Sequence, residues 1–254
     1  MIINIKDTKK VAKLYEKWSE TCVTSALQGV MGDIYAPAGD NPDCAVVILG
    51  DFAFYAGIPN RELVMYKPPH KEESHFIIMV GDSPEWDKLF MDCYKDKCKL
   101  HTRYAIKKDT QFSMDNLMDL AEKLPGGYGA KCIDEKLYNY CMDNDWCRDF
   151  VGNFADYEDY RQHGMGVMIL HGDEPVAGTS SYSYYLEGIE IEIVTREDYR
   201  RKGLATVAAA KLIMMCLDKG LYPSWDAANL NSVGLSRKLG YEFDKEYTSY
   251  EVNW

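Results

Sequence analysis

The distribution of apolar and polar residues sets out the elements of the chain. Val11, Leu14, Tyr15, Trp18 and Cys22 recur at helical spacing, which predicts one amphipathic helix over residues 8–30, ended at Gly32. Residues 33–43 are rich in Pro, Gly, Asp and Asn and read as a loop. Two apolar runs, 44–49 and 52–56, flank Gly50-Asp51 as the strands of a hairpin. Residues 63–66 read as a further short strand and 75–80 as a buried one. Ser83-Pro84 opens a helix, with Ser83 as its cap. Residues 99–107 alternate, placing Leu100, Thr102, Tyr104 and Ile106 on one face. Ser113 caps a helix through Leu124, and Pro125-Gly126-Gly127-Tyr128-Gly129 then punctuates the chain. The expected division is therefore a mixed α/β domain at 1–124 and a second domain at 125–254.

In the second half, helices are expected at 134–143, 146–154 and 157–162. Strands at 166–170 and 175–182 join through His171-Gly172-Asp173. Along 188–193, Ile189, Ile191 and Ile193 alternate with Gly188, Glu190 and Glu192, the period of a half-buried strand. These three strands form an antiparallel meander. A helix then runs to about Lys219 and stops at Gly220. It is followed by a strand at 222–226, a helix over 230–239 ended by Gly240, and a last strand near 246–252. The fold class is mixed α/β (α+β).

The chain has 254 residues, enough for one large domain or two small ones. No apolar run approaches the ~20 residues of a membrane span, and the N-terminus lacks a signal-peptide apolar core. The eight cysteines follow no framework spacing, so reduced thiols in a cytoplasm are expected. A net charge of −11 argues against general nucleic-acid binding and favours cationic ligands, though acidity also simply aids solubility. Cys93, Cys98 and His101 group most closely for a metal, but they lack a paired second cluster, so no metal site is expected. No phosphate-binding loop of the Gly-Lys-Ser/Thr type and no dinucleotide fingerprint is present.

The candidate chemistry lies at the end of the 188–195 strand. Arg200, Arg201 and Lys202 precede Gly203, Leu204, Ala205 and Thr206 at the start of a helix. A helix start offers unpaired N–H groups and the positive end of a dipole. Gly203 and Ala205 leave a phosphate oxygen room to approach. The ligand implied is a phosphorylated cofactor held mainly by main chain.

Arg200-x-x-Gly203-x-Ala205 after a strand resembles the acetyl-CoA motif of the GNAT N-acetyltransferases. Trp225-Asp226-Ala227-Ala228-Asn229, Ser232 and Lys238-Leu239-Gly240-Tyr241 are similar to that family's next strand, Asn-bearing turn and last helix. The wording, with a long segment ahead of the core, resembles the subgroup that includes zwittermicin A resistance acetyltransferases. The resemblance covers residues 125–254. It implies a mostly antiparallel GNAT-like sheet flanked by helices, and acetyl-CoA or coenzyme A as cofactor. Main-chain groups of Ile193, Val194 and Thr195 would meet the pantetheine arm, with an oxyanion donor near Val194. Residues 201–206 would hold the pyrophosphate, and Asn229 and Ser232 would contact the cofactor arm. Asn229 could equally cap the helix beginning at Leu230. Element order raises the expectation that residues 1–124 are a degenerate copy of the same fold.

Glu190 and Glu192 are the candidate general bases, with Glu190 preferred. A bulge in the strand would separate their faces. The family's proton-donating Tyr on the last helix corresponds to Ser236, which reads as a packing residue. Tyr241 and the cluster Tyr182, Ser183, Tyr184, Tyr185 offer other hydroxyls. Tyr157, Tyr160, Asp156, Glu158 and Asp159 are candidates to line an amine pocket. The expected function is acetyl transfer from acetyl-CoA to a primary amine of a small molecule, by direct attack in a ternary complex, in a monomer or homodimer. The rivals are a protein or peptide N-acetyltransferase and a non-catalytic CoA-binding sensor or scaffold.

Overall fold

A computed structural model describes residues 1–254. The chain forms two compact units, one of residues 1–103 with 246–254 and the other of residues 104–245. This differs from the division expected at 124/125. The reason is local: Cys98–Ile106 and Phe243–Asn253 are unbroken strands that cross the unit limits, so no loop composition marks them. The Gly-rich stretch instead leads into a strand, Tyr128–Cys132.

The first unit holds β1 (Ile2–Asn4), α1 (Thr21–Leu27), β2 (Asp33–Pro37), β3 (Cys44–Leu49), β4 (Phe52–Gly57), α2 (Arg61–Val64), β5 (Phe76–Gly81), α3 (Pro84–Tyr94) and most of β6 (Cys98–Ile106). Its strands lie in the order β1-β2-β3-β4-β5, with residues 250–253 of the last strand antiparallel to β5 and most of β6 beyond them. The first four are antiparallel, and β4 and β5 are parallel. Strand β3, CAVVIL, is buried along its whole length. Trp86, Phe90 and Tyr94 recur every four residues on α3, and the rings of Trp86 and Phe90 lie 5.1 and 4.9 Å from that of Tyr55.

Three expectations fail in this unit. The single helix over 8–30 is two 3-10 turns and the short α1, because Glu20 takes an extended conformation and restarts the chain. The 33–43 loop contains β2, whose Ile34, Tyr35 and Ala36 are buried despite the turn-rich composition around them. The 63–66 strand is the end of α2, which is fixed by Asn60 accepting the Leu63 N–H.

The second unit contains α4 (Met114–Ala121), β7 (Tyr128–Cys132), α5 (Glu135–Asp143), α6 (Tyr157–His163), β8 (Gly166–His171), β9 (Glu174–Tyr185), β10 (Gly188–Thr195), α7 (Leu204–Asp218), β11 (Tyr222–Ser224), β12 (Asp226–Ala227), α8 (Leu230–Leu239) and the start of β13 (Phe243–Asn253). Its sheet runs β11-β10-β9-β8-β7, antiparallel except for the β10–β11 pair. The expected helix at 146–154 is a 3-10 turn, Arg148–Phe150. One sheet face packs Val167, Ile169, Ile189 and Ile191 against Leu204, Val207, Ala208 and Leu212 of α7. The other packs Met168 and Leu170 against Tyr138, Phe150 and Tyr160.

The first five strands of the first unit repeat the order and parities of the second unit's sheet. Its parallel pair is closed, however. Trp86 donates its indole N–H to Gly57 O at 2.9 Å, and Gly57 N donates to Asp82 at 2.8 Å. The splayed strands that a cofactor lobe would need are therefore missing from the first unit.

Buried tyrosine hydroxyls predict an alkaline limit for the fold. Burial holds the hydroxyls of Tyr15, Tyr55 and Tyr241 well above their ordinary pKa. In the unfolded chain they ionise near pH ~10. A raised folded pKa gives stability that is full below that value and lost as pH rises past it. The midpoint of thermal unfolding is expected to hold steady up to about pH 9 and fall steeply above about pH 10. Melting curves across that range test this.

Candidate functional site: a forked strand pair ending in an anion cradle

Strands β10 and β11 pair over three residues only, Gly188 with Tyr222, Ile189 with Pro223 and Glu190 with Ser224. The chain then leaves the sheet. Trp225 is buried in the α7 core, its ring 5.5 Å from that of Tyr241 and its indole N–H bonded to Ser232 Oγ at 3.0 Å. Asp226 and Ala227 pair elsewhere, with Ala105 and Tyr104. From Ile191 onward β10 is paired on its β9 side alone.

The register shows which main-chain groups face the opening. Arg196 N donates to Val176 O, so residues 196, 194 and 192 point their groups at β9. Ile191, Ile193 and Thr195 point theirs outward. The Val194 N–H is turned into the sheet, so the outward N–H groups near it belong to Ile193 and Thr195. The Thr195 carbonyl accepts from Arg200 Nε at 3.4 Å. Thr195 Oγ1 is buried without a hydrogen-bond partner beside this edge.

The bulge falls where the sequence raised it, but its extra residue is Tyr182 on β9, between the pairs Glu190–Ser183 and Ile191–Ser181. The alternation of β10 is therefore kept. Ile189 and Ile191 face α7, while Glu190, Glu192 and Val194 share the opposite face. Glu190 lies at the closed end of the fork. Its side chain is 11% exposed, and Lys108 Nζ lies 3.7 Å from Oε2. Glu192 is half-buried one pleat further along.

Three more side chains join Glu190. The Tyr185 hydroxyl lies 3.0 Å from Ser224 Oγ, and burial, then the Glu190 charge, push its pKa up. The Tyr222 hydroxyl accepts the Thr110 N–H and donates to Lys107 O, each at 3.2 Å, which fixes the loop carrying Lys108. Sequence reasoning missed Lys108, Thr110, Tyr222 and Ser224, because nothing local marks a lysine that folds onto a distant carboxylate.

At the open end of β10 the chain enters a cradle. Arg201 and Gly203 have φ of 62° and 80°, and α7 begins with no side-chain cap. Left-handed residues on either side of Lys202, just ahead of an uncapped 15-residue helix, leave N–H groups aimed outward at the positive dipole end. A Cβ on Gly203 would project into open space. Arg200, Arg201 and Lys202 are exposed, Leu204 is core, and Ala205 and Thr206 are partly buried. Lys202 Nζ and the Arg196 guanidinium lie 4.5 and 5.4 Å from the centre of the Tyr199 ring and brace the loop.

Other candidates serve the fold. Asn229 caps α8 by accepting the Ser232 N–H at 3.0 Å, and Ser232 Oγ holds Trp225. Ser236 is buried and donates to Val233 O, and Tyr241 donates to Pro223 O at 2.5 Å. Neither hydroxyl is available to a leaving group. Asp156 and Asp159 cap the start of α6, and Glu158 pairs with Arg161 and Gln162, which holds its carboxyl down at about 2. Tyr160 is bonded to Ser180 in the core. These acids are thus engaged locally, in the cap and on the surface of α6.

The sequence profile of the GNAT acetyltransferases matches residues 12–250, and the chain belongs to that family. The match reaches well beyond the 125–254 covered by the motifs. The chain is similar to an uncharacterised N-acetyltransferase, YdfB, of Bacillus subtilis (strain 168), with 29% identity, 92% of this chain and 91% of that protein being covered. It is also similar to a GCN5-related N-acetyltransferase-like protein from Streptococcus suis 89/1591. There the identity is 44%, the TM-score 0.91 and the coverage 97% of this chain and 98% of that one. A tandem GNAT protein from the clavulanic acid biosynthesis pathway shares the fold at 12% identity, with a TM-score of 0.56 over 99% of this chain and 98% of that one.

Proposed function

We propose that this chain moves an acetyl group from acetyl-CoA to a primary amine of a small molecule. The observation that carries the reading is the single strand β10, with a buried carboxylate at the closed end of its fork and an anion cradle at its other end. Residues 200–206 would hold the pyrophosphate, and the edge groups of Ile191, Ile193 and Thr195 the pantetheine amides, much as an added strand would be held. The Thr195 hydroxyl and the space over Gly203 fit such a ligand. Bound acetyl-CoA supplies the thioester. Glu190 takes one proton from the acceptor ammonium, and Glu192 adds negative charge on the same face. The second amine proton passes to the departing thiolate, so a tyrosine at position 236 is dispensable. Eight free cysteines suit a reducing cytoplasm.

The sensor reading is favoured by one observation, the burial of Ser236 and Tyr241 in main-chain hydrogen bonds. The experiment that separates the two follows thiol release from acetyl-CoA with a panel of polyamines, aminosugars and amino-acid amines. Release that requires an amine, with an acetylated product by mass, is expected. Stabilisation by acetyl-CoA with no release from any amine would favour the sensor.

A further inference from the structure

The ammonium of Lys108 lies against the carboxylate to which the base role is given above. It lies 3.7 Å from Glu190 Oε2, at the closed end of the fork. Its loop is held on both sides by the Tyr222 hydroxyl, through Lys107 O and Thr110 N. The Lys108 side chain is 29% exposed, so it is neither locked in the core nor free in solvent. We propose that Lys108 is itself an acceptor, and that the protein acetylates its own Lys108 Nζ from acetyl-CoA. The inference rests on the acyl-transfer reading above.

The step balances without a further reactant. Glu190 takes one proton from the Lys108 ammonium. The freed lone pair attacks the thioester carbonyl carbon, a C–N bond forms and the C–S bond breaks. The second amine proton goes to the thiolate and leaves as coenzyme A, and Glu190 returns its proton to water. The product is a neutral amide at Lys108, which ends the ion pair with Glu190. The modified enzyme then presents Glu190 to an incoming ammonium without an internal competitor.

The test incubates the full chain with isotopically labelled acetyl-CoA and reads site occupancy against time by proteolysis and mass spectrometry. Lys6, whose side chain is 84% exposed, reports uncatalysed acetylation. Lys108 is expected to gain label about 10²-fold faster than Lys6, the lower end of general-base assistance. Glu190→Gln should bring Lys108 down to the Lys6 rate. Tyr222→Phe, which frees the loop, should slow labelling of Lys108 while acetyl-CoA still stabilises the protein against heat. Labelling of Lys108 at the Lys6 rate, or equally fast in Glu190→Gln, overturns the inference. If acetyl-CoA stabilises the chain and an added amine releases thiol while Lys108 stays unlabelled, self-acetylation falls and acyl transfer stands. If neither stabilisation nor release occurs, acyl transfer falls and takes this inference with it.

Discussion

Glu190→Gln is expected to lower kcat for amine acetylation by about 10²- to 10⁴-fold, the usual contribution of a general base. Glutamine keeps the volume and the strand pairing with Ser183 and Ser224, so the fork itself survives. What it removes is the one strongly buried carboxylate on the β10 face. Acetyl-CoA binding should change little, because the cradle lies at the other end of the strand. Glu192→Gln should cost less, since Glu192 is half-buried and lies one pleat away from the fork. The measurement is kcat, KM and the pH dependence of kcat/KM for both variants with an acceptor found in the panel. Glu190→Gln with parental turnover and an unchanged acidic limb would show that Glu190 is not the base. The roles would then pass to Glu192 or to a water.

The second unit was largely readable in the sequence, and the first in part: β3, β4, β5 and α3 fall where the apolar runs and the Ser-Pro start place them. In the second, the period-two run of β10 and the apolar face of α7 belong to elements long enough to declare themselves. Gly240 could be read as a left-handed cap because only the local chain decides it, and its φ is 106°. In the first unit, Ile34-Tyr35-Ala36 are three buried residues inside a turn-rich stretch, and they form a strand because β3 lies beside them. That is a tertiary decision, invisible to a local window. Strand β7 was hidden by Gly129 within it and by Gly126 and Gly127 just before it.

The site divides along the same line. Residues 200–206 and Glu190 are adjacent in sequence to the strand they serve, so spacing places them. Asn229 and Ser232 have the right spacing too, yet their bonds go to helix capping and to Trp225. Lys108 and Tyr222 come together only when the loop after β6 folds onto β11, and no spacing rule reaches that far. The fork has a cause that could be seen only afterwards. Trp225 is drawn into the core beside Tyr241, and Asp226 and Ala227 pair with Ala105 and Tyr104 instead of with β10. A parallel pair that must end at Ser224 leaves the rest of β10 open.

Gly203→Glu is expected to abolish the stabilisation that acetyl-CoA and coenzyme A give the wild type. At ligand a hundredfold above its dissociation constant that stabilisation is ~2.7 kcal/mol, a clear shift in melting temperature. Two effects act at this position. A side chain at φ 80° costs about 1–2 kcal/mol in backbone strain. The new carboxylate would lie near the first N–H groups of α7, which returns about 0.3–1 kcal/mol through the helix dipole. The unliganded variant should therefore melt only slightly below wild type. The liganded comparison is where the variants part, because the carboxylate occupies the space over Gly203 and repels the pyrophosphate. Gly203→Ala separates the two effects. It carries the strain without the charge, so it should melt low yet still respond to the coenzyme. A shift lost in Gly203→Glu and kept in Gly203→Ala places the phosphates on this cradle. A full shift in Gly203→Glu would move the cofactor site elsewhere. In that case the open edge of β10, with Thr195 Oγ1 beside it, would need another ligand to explain it.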